Sequence, residues 1–135
     1  MKTVLITATY MFPFLDRFVP ILESFGLKVI VPEVEERMEA DALMPYAGQF
    51  DGTICGDDRY TPEVLKACAP RLKVIAKWGT GIDSINLDTA RELGIQVLNT
   101  PNAFTVPVSE SVLTAILCFA RNLPWMDSAM KRGEW

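Results

Sequence analysis

Short apolar runs alternate with short helical patterns along the first hundred residues of this 135-residue chain. Each apolar run has the length of a strand, and several are unbroken, as in strands that are covered on both faces. They lie at 2–8, 27–31, 51–55, 74–76 and 95–98. Strands separated by helices at this spacing favour a parallel sheet with helices on both faces. We therefore predict an α/β fold: a flavodoxin-like, five-stranded parallel sheet followed by a C-terminal helix.

Proline and glycine predict where the helices begin and end. Pro20 should lie in the first turn of a helix over 18–25, because its missing N–H does no harm there. Charged residues 33–47 should become helical from about Met38. Thr61 and Pro62 predict an N-cap and a first helical position, and Gly94 should end a helix over 87–93.

Composition excludes several classes of function. Half of the residues are apolar, which indicates a globular chain with a real core. The formal net charge is −4 and the basic residues form no cluster, so nucleic acid is not an expected partner. The sequence contains no histidine, the commonest general base and metal ligand, and we expect no metal site.

The three cysteines, Cys55, Cys68 and Cys118, show no paired spacing. We expect buried free thiols that act as small hydrophobic side chains. An odd cysteine count without a recognisable signal peptide points to a reducing compartment, and no uncharged run is long enough to span a bilayer. The predicted location is the cytoplasm.

The most informative stretch runs from 72 to 102. A buried-type strand ends there in the turn Gly79-Thr80-Gly81. The two glycines let the backbone bend and leave N–H groups open, which forms a cradle for a carboxylate or a phosphate. Taken from the residues alone, a tight turn that needs glycine only for its backbone is an equally good interpretation. The loop Gly56-Asp57-Asp58 should lie at the same ligand-binding edge of the sheet.

This stretch resembles the NAD-dependent D-2-hydroxyacid dehydrogenases, in particular their phosphoglycerate-dehydrogenase-like branch. The resemblance covers about residues 4–135 and depends on the order and spacing of several groups together. The matching residues are 72–75, 79–83, Ala90, 94–95, Val97, 99–101 and 108–110. In that family this region is the substrate-binding domain plus the first helix of the coenzyme domain.

The resemblance implies specific roles for the residues of the turn. Gly79, Thr80 and Gly81 would bind the substrate carboxylate through backbone amides, with Lys77 or Trp78 beside the pocket. Asn99 and Pro101 would belong to the hinge between the domains, close to the cofactor. The family often has an asparagine where this chain has Phe104, and Thr105 is the candidate substitute for its hydrogen bond. Lys77 and Arg59 are candidates for phosphate recognition.

The family's catalytic groups have no counterpart in this sequence. Hydride transfer there needs a Gly-x-Gly-x-x-Gly cradle, an arginine and a Glu–His pair, all of which follow the region present here. Gly79-Thr80-Gly81 lacks the third glycine. We therefore assign no catalytic residue. NAD is expected in the complete enzyme, but this chain alone should neither bind it tightly nor catalyse the oxidation of a small D-2-hydroxy acid.

We predict a substrate-binding domain over 1–100, and a hinge with the first helices of a coenzyme domain over 101–135. Thr105 should cap a helix that has Pro107 in its first turn and ends near Asn122; a short amphipathic helix over 125–135 should follow. Both faces of the longer helix are apolar. A missing coenzyme domain or a second copy, in a homodimer formed between Pro107 and Asn122, would cover it. The alternative function is a stand-alone carboxylate-binding, regulatory or dimerisation module, which should instead have a polar outer face there.

Overall fold

The computed structural model describes residues 1–134, which contain five strands and six α-helices. The strands are β1 (Lys2–Ile6), β2 (Leu27–Ile30), β3 (Gly52–Cys55), β4 (Val74–Lys77) and β5 (Gln96–Leu98). The helices are α1 (Leu15–Ser24), α2 (Ala40–Leu43), α3 (Pro62–Cys68), α4 (Leu87–Glu92), α5 (Thr105–Ala120) and α6 (Leu123–Lys131). Two 3₁₀ helices, Thr9–Phe14 and Met44–Tyr46, precede α1 and follow α2.

All five strands form one parallel sheet in the order β2-β1-β3-β4-β5. Val4 pairs with Val29 on one side and with Gly52 on the other, and Ile75 lies between Thr53 and Val97. This is the flavodoxin-like strand order, so the predicted fold class is confirmed. Because the strands are parallel, the loops that follow β1, β3, β4 and β5 meet at one edge of the sheet.

The two faces of the sheet are covered unequally. One core contains Leu5 and Ile75 from the strands with Leu43 of α2, Leu65 of α3 and Ala90 of α4. The second, smaller core combines alternate strand residues such as Ile6 and Ile54 with Phe18 and Leu22 of α1. Helices therefore cover both faces, as predicted, with α1 and the preceding 3₁₀ helix packing on one of them.

The prediction that Pro20 lies in a first turn is wrong. Helix α1 begins at Leu15, directly after the 3₁₀ helix Thr9–Phe14, so Pro20 is an interior residue. Proline removes the backbone bond that would reach the carbonyl of Asp16. Pro20 and Asp16 are both exposed, so water is available to that carbonyl.

The other predictions for the helices of this sheet have mixed outcomes. The helix expected from Met38 begins at Ala40 and consists of the short α2 followed by the 3₁₀ helix Met44–Tyr46, and Met38 is buried outside it. Helix α3 is confirmed with its cap, since the hydroxyl of Thr61 accepts a hydrogen bond from the amide of Val64 at 3.4 Å. Helix α4 is confirmed as well, and its N-cap is the side chain of Asn86.

A second compact unit begins after Pro101 and contains α5 and α6. Thr105 is the first residue of α5 rather than its cap, so the predicted capping role is wrong; Phe104 stands at the cap position and offers no side-chain hydrogen bond. Asn122 adopts a positive φ of 54° between the two helices. The predicted amphipathic helix corresponds to α6, and the last residue of that prediction, Trp135, lies outside the described residues.

Both apolar faces of α5 are exposed. Val112, Leu113, Ile116 and Leu117 each keep more than half of their surface accessible. Within residues 1–134 no single helix is long and apolar enough to cross a bilayer, although α5 and α6 together, bent by 60°, would pass by length and composition.

Candidate functional site

The glycine turn begins at the end of β4. The amide of Trp78 donates a hydrogen bond to the carbonyl of Cys55 at 2.8 Å, which holds the start of the turn against β3. Gly79 has a φ of +149°, which L side chains rarely adopt, and its amide donates to the carbonyl of Lys77 at 3.0 Å. Glycine is therefore needed at position 79 for its backbone, and its amide is already used.

The next three amides are free. Within the described residues, the N–H groups of Thr80, Gly81 and Ile82 donate to no acceptor. Gly81 has an ordinary φ, and a Cβ built on it would meet only a carboxylate oxygen of Asp83 at 3.8 Å. Neither its own backbone nor close packing requires glycine at position 81, whereas a ligand that approaches the amides would need that space.

The segment that follows β5 holds this turn from the other side. The amide of Thr100 donates to the carbonyl of Gly79 at 2.9 Å, and Asn99 Nδ2 donates to the carbonyl of Thr80 at 2.7 Å. The hydroxyl of Thr80 donates to the carbonyl of Thr100 at 3.2 Å. Three carbonyls are thus satisfied, and the N–H groups of Thr80 and Gly81 stay open. Asn99 contacts the turn, exposed Pro101 ends the first unit, and Thr105 lies in the second unit.

Lys77 is buried beneath the turn, with about 5% of its surface exposed. Its Nζ donates to the carbonyl of Gly56 at 2.6 Å and to the carboxylate of Asp57. The Cε of Lys77 lies 3.4 Å from the position that a Cβ on Gly79 would take. The hydrogen bond from Lys77 lowers the pKa of the Asp57 carboxyl. Lys77 therefore joins the loop after β3 to the glycine turn.

A second carboxylate, Asp58, is completely buried. It accepts hydrogen bonds from the hydroxyl of Thr7, from the amide of Met38 at 2.6 Å and from the amide of Gly56 at 3.2 Å. Burial raises the pKa of Asp58, and these donors oppose that effect. Asp58 thus connects the ends of β1 and β3 with the segment before α2.

Trp78 lies on the α1 side of the turn with 40% of its surface exposed. Its ring meets that of Phe18 edge to face, with centroids 6.2 Å apart. Both rings line a cleft of about 280 Å³ whose walls are almost entirely apolar, together with Ile21 and Ile54. Thr100, which is bonded to Gly79, completes its border, so the cleft adjoins the turn.

A different cavity, of about 230 Å³, lies on the other side of Gly81. Arg37 and Arg59 line it, but so do Asp57 and Asp83. Arg37 Nε is 2.7 Å from a carboxylate oxygen of Glu39, and Arg59 Nε is 4.0 Å from the other oxygen of the same group. This cavity is therefore mixed in charge and its arginines share one acid.

The structure brings together the predicted residues Lys77, Trp78, Gly79, Thr80, Gly81 and Asn99 at one edge of the sheet. Sequence reasoning placed the loop Gly56-Asp57-Asp58 at this edge but gave Asp58 no role of its own, and it missed the partner Thr7, 51 residues away. The signal for this pair was that Thr7 lies near the end of one predicted strand and Asp58 just after another, so both come to the same edge.

The family model described as D-isomer specific 2-hydroxyacid dehydrogenase, catalytic domain, matches residues 5–125. The chain belongs to this family. D-3-Phosphoglycerate dehydrogenase of Sus scrofa is 33% identical over 116 residues, which are 85% of this chain and 21% of the relative. The same enzyme of Methanocaldococcus jannaschii is 35% identical over 102 residues, or 76% of this chain and 18% of the relative. The chain therefore spans about a fifth of the length of these relatives.

Solved structures agree with this assignment. The TT0316 protein of Thermus thermophilus superimposes with a TM-score of 0.73 at 30% identity, covering 98% of this chain and 41% of its own. The NAD-dependent formate dehydrogenase of Staphylococcus aureus, solved in complex with NAD, has a TM-score of 0.70 at 23% identity, covering 100% of this chain and 43% of its own. The latter likeness shows the shared fold. The chain is thus a phosphoglycerate-dehydrogenase-like domain of the D-isomer specific 2-hydroxyacid dehydrogenase family.

Proposed function

We propose that this chain is the substrate-binding part of an NAD-dependent oxidoreductase that acts on the CH–OH group of a small D-2-hydroxy acid. The observation that carries the proposal is the set of three open N–H groups on Thr80, Gly81 and Ile82. A carboxylate is the one charged group that all 2-hydroxy and 2-oxo acids share, and backbone amides in a turn are suited to bind it. The family membership supports the same assignment.

The chain's own residues would bind and orient the substrate. The amides of the turn would hold the carboxylate, Gly81 would leave room for its approach, and Trp78 would limit the space beside it. Lys77 and Asn99 would keep the turn in place through their bonds to Gly56 and Thr80. Fixing the carboxylate fixes the position of the adjacent C2 carbon, and this positioning lowers the barrier of a later step.

The residues present do not fit a dinucleotide. The glycine fingerprint of NAD-binding folds opens directly into a helix, whose N-terminus faces the pyrophosphate. Here α4 begins only at Leu87, after the turn at Asp83-Ser84, and the third glycine is lacking. We therefore propose that this chain alone binds no NAD tightly and catalyses no hydride transfer, and that the complete enzyme brings NAD from another domain.

Amide NMR spectra of the ¹⁵N-labelled chain, titrated with pyruvate, test the carboxylate site. We expect saturable shifts that are concentrated at Thr80, Gly81 and Ile82. Acetamide, which resembles a small carboxylate without its charge, should leave these amides unchanged. Shifts that are absent, or that are spread over the surface, contradict the proposal. NADH-dependent turnover of pyruvate by the pure chain contradicts the separate statement that it is inactive alone.

The exposed helix α5 suggests what else the chain binds. We propose that a coenzyme domain, or a second copy of the chain in a homodimer, covers the surface between Pro107 and Asn122. Val112, Ile116 and Phe119 give it an apolar character that is unusual for a free surface. Light scattering that shows a monomer at high concentration, without aggregation, would instead favour the alternative of a stand-alone carboxylate-binding or regulatory module.

A further inference from the structure

We infer that the part of the site that this chain supplies favours a substrate with a single negative charge, its carboxylate, and an apolar side chain, and disfavours a phosphorylated acid. The inference rests on the proposed carboxylate site and adds the class of substrate. It depends on two features beside the turn. The nearby cations are already paired with carboxylates, and the cleft that adjoins the turn has an apolar wall.

The first feature is that the nearest cation is already neutralised. A phosphate group carries close to two charges at neutral pH and needs cationic donors that are free to reach it. The ammonium group of Lys77 is buried and donates to Asp57 and to the carbonyl of Gly56. A ligand at the turn would therefore meet the carboxylate of Asp57, whose side chain is 78% exposed, before it met the ammonium group.

The arginines near Gly81 do not replace this missing charge. Arg37 and Arg59 both face Glu39, and their cavity also contains the carboxylates of Asp57 and Asp83. The three cations Lys77, Arg37 and Arg59 are thus matched by the three anions Glu39, Asp57 and Asp83. These six groups together carry no net positive charge, so they would attract a second anionic group only weakly. The carboxylate of Asp57 would repel such a group.

The second feature is the apolar cleft on the α1 side of the turn. Phe18, Ile21, Leu22 and Trp78 line it, and it adjoins the turn through Trp78 and Thr100. Its volume of about 280 Å³ is ample for a branched or aromatic side chain of several carbons. Removing such a chain from water is favourable by roughly 0.8 kcal/mol per buried CH₂ group. A phosphate would lose its hydration there, and the cationic residue of the lining, Lys77, already donates to Gly56 and Asp57.

The test compares three acids on the same labelled chain: 4-methyl-2-oxopentanoate, pyruvate and the phosphate ester of 3-hydroxypyruvate. We expect all three to shift the amides of Thr80–Ile82, with the branched acid binding at least about tenfold more tightly than the phosphorylated one, on the energies of apolar burial. The branched acid should also shift the indole N–H of Trp78. Tighter binding of the phosphorylated acid overturns this inference and leaves the carboxylate site intact. If no acid shifts the turn, the carboxylate site itself is wrong and the inference falls with it.

Two variants test whether the pairing of Asp57 with Lys77 is what weakens binding of the phosphorylated acid. Asp57→Asn should release Lys77 and raise affinity for the phosphorylated acid about tenfold or more, as expected for a newly free cation, with little change for the branched acid. Asp88→Asn, an equal change in net charge on an exposed residue of α4, is the matched control and should change neither. Equal gains in both variants would overturn the local role of Asp57.

A variant of α1 tests whether the apolar wall of the cleft binds the side chain of the substrate. Ile21→Asp places a charge in the cleft and should weaken binding of the branched acid about tenfold while leaving pyruvate unaffected. Phe25→Asp, directly after the same helix and with 77% of its surface exposed, does not line the cleft and is the control. Unchanged affinity of Ile21→Asp for the branched acid would contradict the placement of the side chain.

Discussion

Lys77 Nζ lies 2.6 Å from the carbonyl oxygen of Gly56, so the loop after β3 and the turn after β4 are joined by one buried side chain. The bond crosses between neighbouring parallel strands at their carboxyl ends, where the candidate site lies. An aliphatic stem passes beneath Gly79, and the ammonium group reaches both Gly56 and Asp57. The shape of the site therefore depends on a lysine that is itself almost inaccessible to a ligand.

Replacing Lys77 by methionine should lower the free energy of unfolding by about 1–3 kcal/mol, because a hydrogen-bonded buried charge is lost and the carbonyl of Gly56 loses its partner. The stem is largely retained, so the loss reports on the polar contacts. Urea unfolding measures the change. Lys66→Met on the exposed side of α3 is the control and should stay within about 0.5 kcal/mol of the parent. Equal stability of the two variants would contradict the role of Lys77.

The stability of the chain should depend on Asp51 at acid pH. The hydrogen bond from the Thr3 amide, with help from Lys2 and Arg71, lowers the pKa of Asp51 from 3.8 to about 2. The folded form thus binds this proton less tightly than the unfolded form, so the stabilisation is complete above 3.8 and is lost as pH falls towards 2. Asp51→Asn should be less stable at neutral pH and should lose less stability between pH 4 and 2. Thermal melts over that range check this, with Asp88→Asn as the control for net charge.

Much of the fold could be predicted from the sequence because the signals are local. The strands were visible as unbroken apolar runs, and Thr61-Pro62 marked the start of α3. Pro20 misled the prediction because a preceding 3₁₀ helix, which left no clear signal, moved the start of α1 forward. Thr105 has the residue type of an N-cap and precedes Pro107, yet it is already the first helical residue.

The site was predictable only in part. The glycines of the turn predict a cradle for an anion, but the sequence does not show which backbone amides lack an acceptor. The amide of Gly79 is used, and those of Thr80 and Gly81 are open. Lys77 could be placed beside the turn, while its bond to Gly56 joins residues 21 positions apart and has no sequence signature. Pairings of this kind appear only when the sheet brings distant loops together.

The three thiols should differ in reactivity. Burial raises the pKa of Cys55 to about 12 and also raises that of Cys68. Both should remain protonated and unreactive at pH 8, whereas partly exposed Cys118 on α5 should be modified first. Mass spectrometry after brief iodoacetamide treatment should find one modified cysteine per chain. Fast modification of Cys55 would contradict its burial. Protection of Cys118 that disappears on dilution would show that a second copy covers α5.

The two glycines of the turn should respond differently to alanine. Gly79→Ala forces a side chain onto a residue with a φ of +149°, 3.4 Å from Lys77 Cε, and should cost about 1–3 kcal/mol of stability. Gly81→Ala meets only one atom, at 3.8 Å, and should fold as stably as the parent within about 0.5 kcal/mol. Because its methyl group would occupy the space in front of the open amides, Gly81→Ala should nevertheless weaken pyruvate binding. Urea unfolding and amide NMR titration together separate the two effects. If the Gly81→Ala variant binds pyruvate as tightly as the parent does, the carboxylate does not use the space in front of Gly81. The carboxylate would then have to approach the turn from another side.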